Sequence, residues 1–200
     1  MPEPRLVLAS SSPYRKDLLE RLGMDFLTAS PDIDETPRPG EDAPSLVARL
    51  ARDKARALAS QHPQHLIIGS DQVACLDGLI LTKPHTTERA LAQLHACSGR
   101  RVRFETGLAL LDTTTGRIES RVESFDVAFR ELSDREIRHY VGYEQPLDCA
   151  GSFRAEGLGI ALFRAMHGRD PNSLIGLPLI ALCDMLRRFG LNPLSDSAHP

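Results

Sequence analysis

Apolar residues along the chain fall into short blocks that alternate between strand-like and helix-like spacing. Arg5–Ala9 (RLVLA) is a run of strand length. Leu18, Leu19 and Leu22 then recur at the spacing of one helix face. Between them Ser12 stands where a helix N-cap belongs, Pro13 at the first helical position, and Gly23 after the last apolar residue. This predicts a strand–loop–helix unit. Asp25–Ala29 reads as a second strand, and the acidic, proline-rich stretch Pro31–Pro44 as a surface loop. Leu46, Val47, Leu50, Lys54, Ala57 and Leu58 predict a helix over Ser45–Gln61.

His65–Ser70 is a further buried strand, ending at Asp71. Asp77-Gly78 lies between the apolar runs Val73–Leu76 and Leu79–Leu81 and suits a tight hairpin turn. Thr87–Ser98 reads as a helix stopped by Gly99, and Arg101–Leu111 and Arg117–Arg130 as two long strands. Ser133 and Glu136 have the spacing of a capping box that opens a helix to about Tyr143. Ile160–Met166 reads as a strand and Pro178–Phe189 as the last helix, followed by Gly190. Residues 1–194 make one domain on this reading, and 195–200 a loose polar tail. Alternation of strands and helices with a β-rich middle predicts an α/β fold with a mixed sheet.

Composition narrows the function classes. With 42% hydrophobic residues the chain has enough apolar surface for a core. A net charge of −3 provides no field for non-specific nucleic-acid binding, so a polyanionic ligand needs a local cluster of cations. The N-terminus lacks the pattern of a signal peptide, and the apolar runs are too short to span a bilayer. Cys75, Cys97, Cys149 and Cys183 are scattered, which reads as free, mostly buried thiols in a reducing cytoplasm. His139 and His167 read as surface residues. Neither a dinucleotide fingerprint nor a P-loop is present.

Several groups suit phosphate chemistry. Ser10, Ser11 and Ser12 precede a helix whose free N–H groups attract anions, with Arg15 and Lys16 one turn in. Taken alone, Ser12 reads as an ordinary cap and Arg15 as a solvated residue, since many helices begin this way. Asp32, Asp34, Glu35 and Glu41 crowd one loop, as a hard divalent cation needs and as a solvated acidic loop also shows. Asp71, at a strand end, suits a metal ligand or a base toward water, and equally a turn cap. Lys54 on the polar side of its helix and Lys83 before Pro84 read as cations for a ligand or as plain surface. Asp148, Arg154 and Glu156 lie in the glycine-rich stretch DCAGSFRAEGLG.

In order along the chain, these residues sit in blocks that resemble the Maf-like family of nucleotide pyrophosphatases. The blocks are LASSSPYRKDLL, PDIDET, RLARDKA, IIGSDQV, LDGLILTKP, SGRRVRFETGLAL, PLDCAGSFRAEG and DPNSLIGLPL. The resemblance implies a Maf/ITPase-like architecture: an elongated mixed sheet flanked by helices, with two lobes around a cleft. It implies hydrolysis of a nucleoside triphosphate between the α and β phosphates, with a divalent cation (Mg2+, Mn2+ or Co2+). Asp71 resembles the proton acceptor. Ser10, Ser12, Arg15, Lys54 and Lys83 resemble phosphate-binding and catalytic positions, and Glu35 with Asp71 the metal positions. A nucleoside triphosphate partner, a cytoplasmic location and a homodimer are implied with it, and neither nucleic acid nor membrane.

One subgroup is resembled more closely, the 7-methyl-GTP pyrophosphatases. Tyr14, Gln72 and Glu156 stand where the dTTP/UTP subgroup has Arg, Thr and Gln. An aromatic ring suits a cationic base through cation–π attraction, and a carboxylate suits the donors on the guanine edge. Three departures accompany this: Thr82 replaces the family's usual Gly before Lys83, Tyr14 replaces the subgroup's more typical Trp, and Cys149 stands where the dTTP/UTP subgroup has Lys. The competing readings are a dTTP/UTP pyrophosphatase and a non-catalytic nucleotide-binding regulator of cell division.

Overall fold

The computed structural model describes residues 5–196. Its centre is a seven-stranded mixed sheet, ordered β2-β1-β3-β5-β6-β7 with β4 paired to β3. The strands are β1 (Leu6–Ala9), β2 (Phe26–Ala29), β3 (Leu66–Leu76), β4 (Leu79–Leu81), β5 (Arg101–Asp112), β6 (Ile118–Phe129) and β7 (Phe163–Gly168). β1 runs parallel to β2 and β3; the remaining pairs are antiparallel. Six helices flank them: α1 (Pro13–Glu20), α2 (Ala43–Ala57), α3 (Thr87–Cys97), α4 (Asp134–Glu144), α5 (Asn172–Ile175) and α6 (Leu179–Arg188). This is the α/β architecture expected from the alternating pattern.

Local signals account for most boundaries. Ser12 caps α1, with Pro13 in the first turn. Ser133 and Glu136 form the expected reciprocal capping box of α4. Asp77 and Gly78 both have positive φ, as the tight β3–β4 turn requires. Helix α2 starts at Ala43 under an Asp42 cap, two residues before the predicted Ser45. Pro44 fits that first turn because its missing N–H has no helical partner to lose.

Three expectations are corrected. β3 does not end at Asp71 but continues to Leu76, because β5 pairs with it from Leu66 to Cys75. Asp71 therefore lies mid-strand, opposite Gly107. The predicted strand Ile160–Met166 begins as a 3-10 turn, Leu158–Leu162, and only then becomes β7. There the Gly159 backbone abuts Arg154: a Cβ on Gly159 would stand 2.2 Å from the Arg154 carbonyl oxygen. Of the four thiols only Cys97 is fully buried; the others are partly exposed. His139 and His167 are exposed, as expected. In the predicted loose tail, Ser195 and Asp196 close a turn on Asn192, with Asn192 N–H donating to Asp196 Oδ2 at 2.8 Å. Residues 197–200 of that tail, and residues 1–4 of the predicted domain, lie outside the described residues. Among the described residues no helix is long and apolar enough to cross a membrane.

The core is divided along the long strands. At one end Leu6, Leu8, Leu66, Ile68, Leu108 and Leu110 pack under α1 and α6, while Val7, Ala55 and Ile67 pack on the opposite face. At the other end Ala74, Leu76, Val102 and Phe104 pack with α3, α4 and a cluster of edge-to-face aromatics around Phe129, Phe153 and Phe163. β3 and β5 thus run through two lobes.

Helix α2 lies against the sheet with almost no side-chain layer at two points. A Cβ on Gly69 would stand 2.0 Å from the Ala51 carbonyl oxygen, and one on Gly107 would stand 2.1 Å from that of Val47. Backbone has to move to accommodate any side chain there. Gly107→Ala should therefore destabilise the protein by about 3 kcal/mol, the upper range of overpacking. Thermal unfolding followed by circular dichroism measures this; a midpoint within a degree of the parent's would refute the contact.

Candidate active site

One edge of β3 changes partner along its length. β1 covers it up to Gly69, and β4 covers it from Ala74. Ser70–Val73 lie between these two partners, and the cleft opens there, between the lobes. A cavity of about 680 Å3 has Ala9–Arg15 in its wall from one lobe and Ile80–Lys83 with Asp148–Ala150 and Phe153–Glu156 from the other. Ser10, Ser12, Tyr14, Arg15, Glu35, Lys54, Asp71, Gln72, Lys83 and Glu156 all line it. Residues from six separate stretches of the chain are thus brought to one place.

The N-terminal loop supplies donors. Ser10 Oγ accepts from Ser12 N–H at 3.1 Å and from the Arg15 guanidinium at 3.5 Å. With its acceptor positions engaged, the Ser10 hydroxyl proton is free to donate. Ser12 Oγ accepts the Arg15 N–H as the helix cap. Arg15 Nε donates to the Gly176 carbonyl at 2.9 Å, and among the described residues Arg15 has no carboxylate in ion-pair contact. Burial pulls its guanidinium below the usual arginine range, with Asp71 and Glu35 acting against this from a distance. Gly176 has φ +120°, and a Cβ there would press on Arg15 Nε at 3.3 Å.

Lys54 is not on a polar helix face. It is buried on the side of α2 that meets the sheet, one turn beyond Leu50. Its ammonium donates to Asp71 Oδ1 at 2.6 Å and pairs with Glu35 at 2.8 Å. Two carboxylates from distant segments therefore meet on one cation. That donor set fits Mg2+ or Mn2+, which commonly take one or two carboxylates and complete their shell with phosphate oxygens and water. Among the described residues no group of three His, Cys, Asp or Glu side chains forms a protein-only cage. Lys83 follows β4 and is exposed, while the neighbouring Thr82 carbonyl accepts from Gln93 Nε2 at 2.8 Å.

The acidic loop divides its labour differently from the sequence expectation. Only Glu35 reaches Lys54. Asp34 accepts the Thr36 N–H at 2.9 Å, and Asp32 does not line the cavity. Glu41 makes a two-pronged pair with buried Arg49, at 2.6 and 2.7 Å, and Arg49 also holds the Thr36 carbonyl at 3.1 Å. This clamp ties the segment carrying Glu35 to the helix carrying Lys54. The Arg49 hydrogen bonds, with that of Arg38 N–H, lower the Glu41 carboxyl to about 2.

At the other end of the cavity, the Tyr14 hydroxyl lies 3.5 Å from Asp148 Oδ2, and the Arg154 guanidinium sits over the Tyr14 ring at 5.5 Å. Burial raises the Tyr14 phenol above its usual range, aided by the Cys149 thiol and Asp148. Gln72 Nε2 donates to Thr106 Oγ1 at 3.0 Å and to the Ser173 carbonyl, which leaves the Gln72 amide oxygen as its free end. Glu156 is exposed at the rim.

The carbonyls of Ser173 and Gly176 were not anticipated as part of the site. Both lie in the segment that Asp170 secures by accepting from Asn172 N–H and Ile180 N–H. Backbone acceptors leave no mark in composition; the Asp170-Pro171-Asn172 turn signal was the available one.

A family model described as "Maf-like protein" matches residues 5–189. The chain belongs to the Maf-like family. Members of this family are nucleotide pyrophosphatases. The solved Ham1 protein of Staphylococcus aureus is also similar, at 15% identity over 77% of this chain and 88% of that one, with a TM-score of 0.45. That likeness is too distant to bear on activity.

The Arg49–Glu41 clamp of this Maf-like protein has an acid limit. Glu41 titrates at about 2 when folded against an ordinary 4.5, so its contribution to stability is complete above pH 4.5 and is lost as pH falls through 2. The difference in thermal midpoint between the parent and Glu41→Gln should be full at pH 6 and close towards pH 2. A difference that does not depend on pH would show that the clamp is not ionic.

Proposed function

We propose that this protein hydrolyses 7-methyl-GTP between its α and β phosphates, giving 7-methyl-GMP and pyrophosphate. The observation that carries the reading is the make-up of the cavity: Arg15, Lys54 and Lys83 beside Asp71 and Glu35, and Tyr14 beside Glu156 in the same space.

A triphosphate brings about four negative charges, and attack by water places more on the leaving pyrophosphate. Arg15 suits this because its charge is anchored by a carbonyl and, among the described residues, is not already neutralised by a carboxylate. The free Ser10 proton and Lys83 add further donors to phosphate oxygens. Asp71 orients the attacking water and accepts its proton, while Lys54 holds that carboxylate in place. Glu35 and Asp71 are the residues that would hold a divalent cation, which when bound offsets phosphate charge.

The opposite end suits a purine whose five-membered ring is cationic. Tyr14 offers a ring face to it. Gln72 presents an acceptor, since its amide nitrogen is engaged by Thr106 and Ser173. With the Glu156 carboxylate it matches the N1–H and 2-amino donors of guanine, which thymine and uracil cannot duplicate.

Three measurements test this. With magnesium, manganese or cobalt, kcat/KM should be higher for 7-methyl-GTP than for dTTP and UTP; the reverse order refutes the substrate and leaves the reaction type standing. Asp71→Asn should lower kcat by about 10²–10⁴-fold, the range of general-base loss. Undiminished pyrophosphate release in that variant removes Asp71 from its role. Glu156→Gln with Gln72→Thr should cost 7-methyl-GTP turnover about tenfold or more, the effect of unmet hydrogen bonds.

A further inference from the structure

The ring that is to receive a cationic base already carries a cation. Arg154 stands over Tyr14 at 5.5 Å. Its other engagements are loose. The ion pair to Asp148 is 3.8 Å long, beyond hydrogen-bond distance, and that carboxylate is largely exposed. Among the described residues Arg154 Nε is buried with no acceptor. Nearby, Glu144 Oε2 is likewise buried with no donor among them. Buried polar atoms without partners are uncommon and call for an explanation.

The two orphans belong to one neighbourhood. The Glu144 carboxylate packs on Gly157, so closely that a Cβ there would stand 2.5 Å from Oε2. Arg154 is rooted beside the same helix, its N–H donating to the Tyr140 hydroxyl at 2.9 Å, one turn before Glu144. A rotation of the Arg154 side chain away from Tyr14 and towards Glu144 would give each orphan its partner.

We propose that Arg154 is a displaceable guanidinium occupying the place of a cationic base on Tyr14, and that it sets the preference of the cleft between cationic and neutral purines. The proposal rests on the reading of Tyr14 as the base platform. A neutral purine shares the platform with Arg154, since guanidinium and aromatic planes stack. A cationic purine is repelled by Arg154 and has to displace it, and Glu144 then receives it. Arg154 therefore weakens binding of the cationic base relative to the neutral one. The repulsion that displacement relieves sets the scale of this cost: at a separation of about 6 Å and intermediate screening it corresponds to about tenfold in affinity.

The test is calorimetric binding of 7-methyl-GMP and GMP, which carry no anhydride to cleave. In Arg154→Met, or in Arg154→Gln should the first not fold, the affinity ratio of 7-methyl-GMP to GMP should rise about tenfold. Arg154→Lys keeps the charge and should hold the ratio within about threefold of the parent. Glu144→Gln should weaken 7-methyl-GMP binding in the parent and have no effect in the Arg154→Met background, which a purely structural Glu144 would not do. A ratio that is unmoved or lower in Arg154→Met overturns the proposal, as does a Glu144→Gln effect that persists without Arg154. If the parent binds GMP and 7-methyl-GMP and only these comparisons fail, the nucleotide reading stands. If the parent binds neither, that reading fails and takes this one with it.

Discussion

The contact of helix α2 with the sheet at Gly69 and Gly107 governs the rest of the site. Two missing side chains let the α2 backbone approach the strands to a distance no other residue permits. Only at that distance does Lys54, on the face turned to the sheet, reach Asp71 in the strand below. The ion pair is therefore a product of packing before it is a product of charge. A buried ammonium is costly unless paired, and here two carboxylates meet it. The clamp from Arg49 to Glu41 and Thr36 extends the same helix outward and brings Glu35 in as the second carboxylate.

Much of this was legible in the sequence, for definite reasons. Caps, proline at the first helical turn and Asp-Gly in a hairpin act within a few residues, and Ser12, Ser133 and Asp77-Gly78 behave accordingly. What depends on distant neighbours was misread. Asp71 looked like a strand end because polarity normally breaks a strand, yet pairing with β5 carries β3 past it. Lys54 looked like surface because lysine usually is, although it follows Leu50 by one helical turn. The acidic loop suited a divalent cation or plain solvation, while Asp34 and Glu41 serve the backbone and Arg49. The family resemblance supplied the candidate residues that local pattern could not, and their gathering around one cavity is a property of the fold.

The cavity has two electrostatic characters. Around Arg15 and Lys54, cations and carboxylates are interleaved, so the field can respond to either an anion or a metal. Around Tyr14, one arginine lies over the aromatic ring and pairs loosely with Asp148, and Glu156 is close by. The carbonyls of Ser173 and Gly176 link these ends from a single segment, one orienting Gln72 and the other Arg15. A shift of that segment would act on both ends at once.

The change of partner along β3 has a consequence for the molecule as a whole. Between Gly69 and Ala74 the strand has neither β1 nor β4 beside it. Unpaired strand edges invite another chain to add itself, and natural proteins cover or interrupt them. Here the interruption lies at the bottom of a cleft, where the flanking lobes, and not its length, keep an intruding strand out. The fold thus keeps a length of open backbone that a small ligand can enter and a polypeptide cannot.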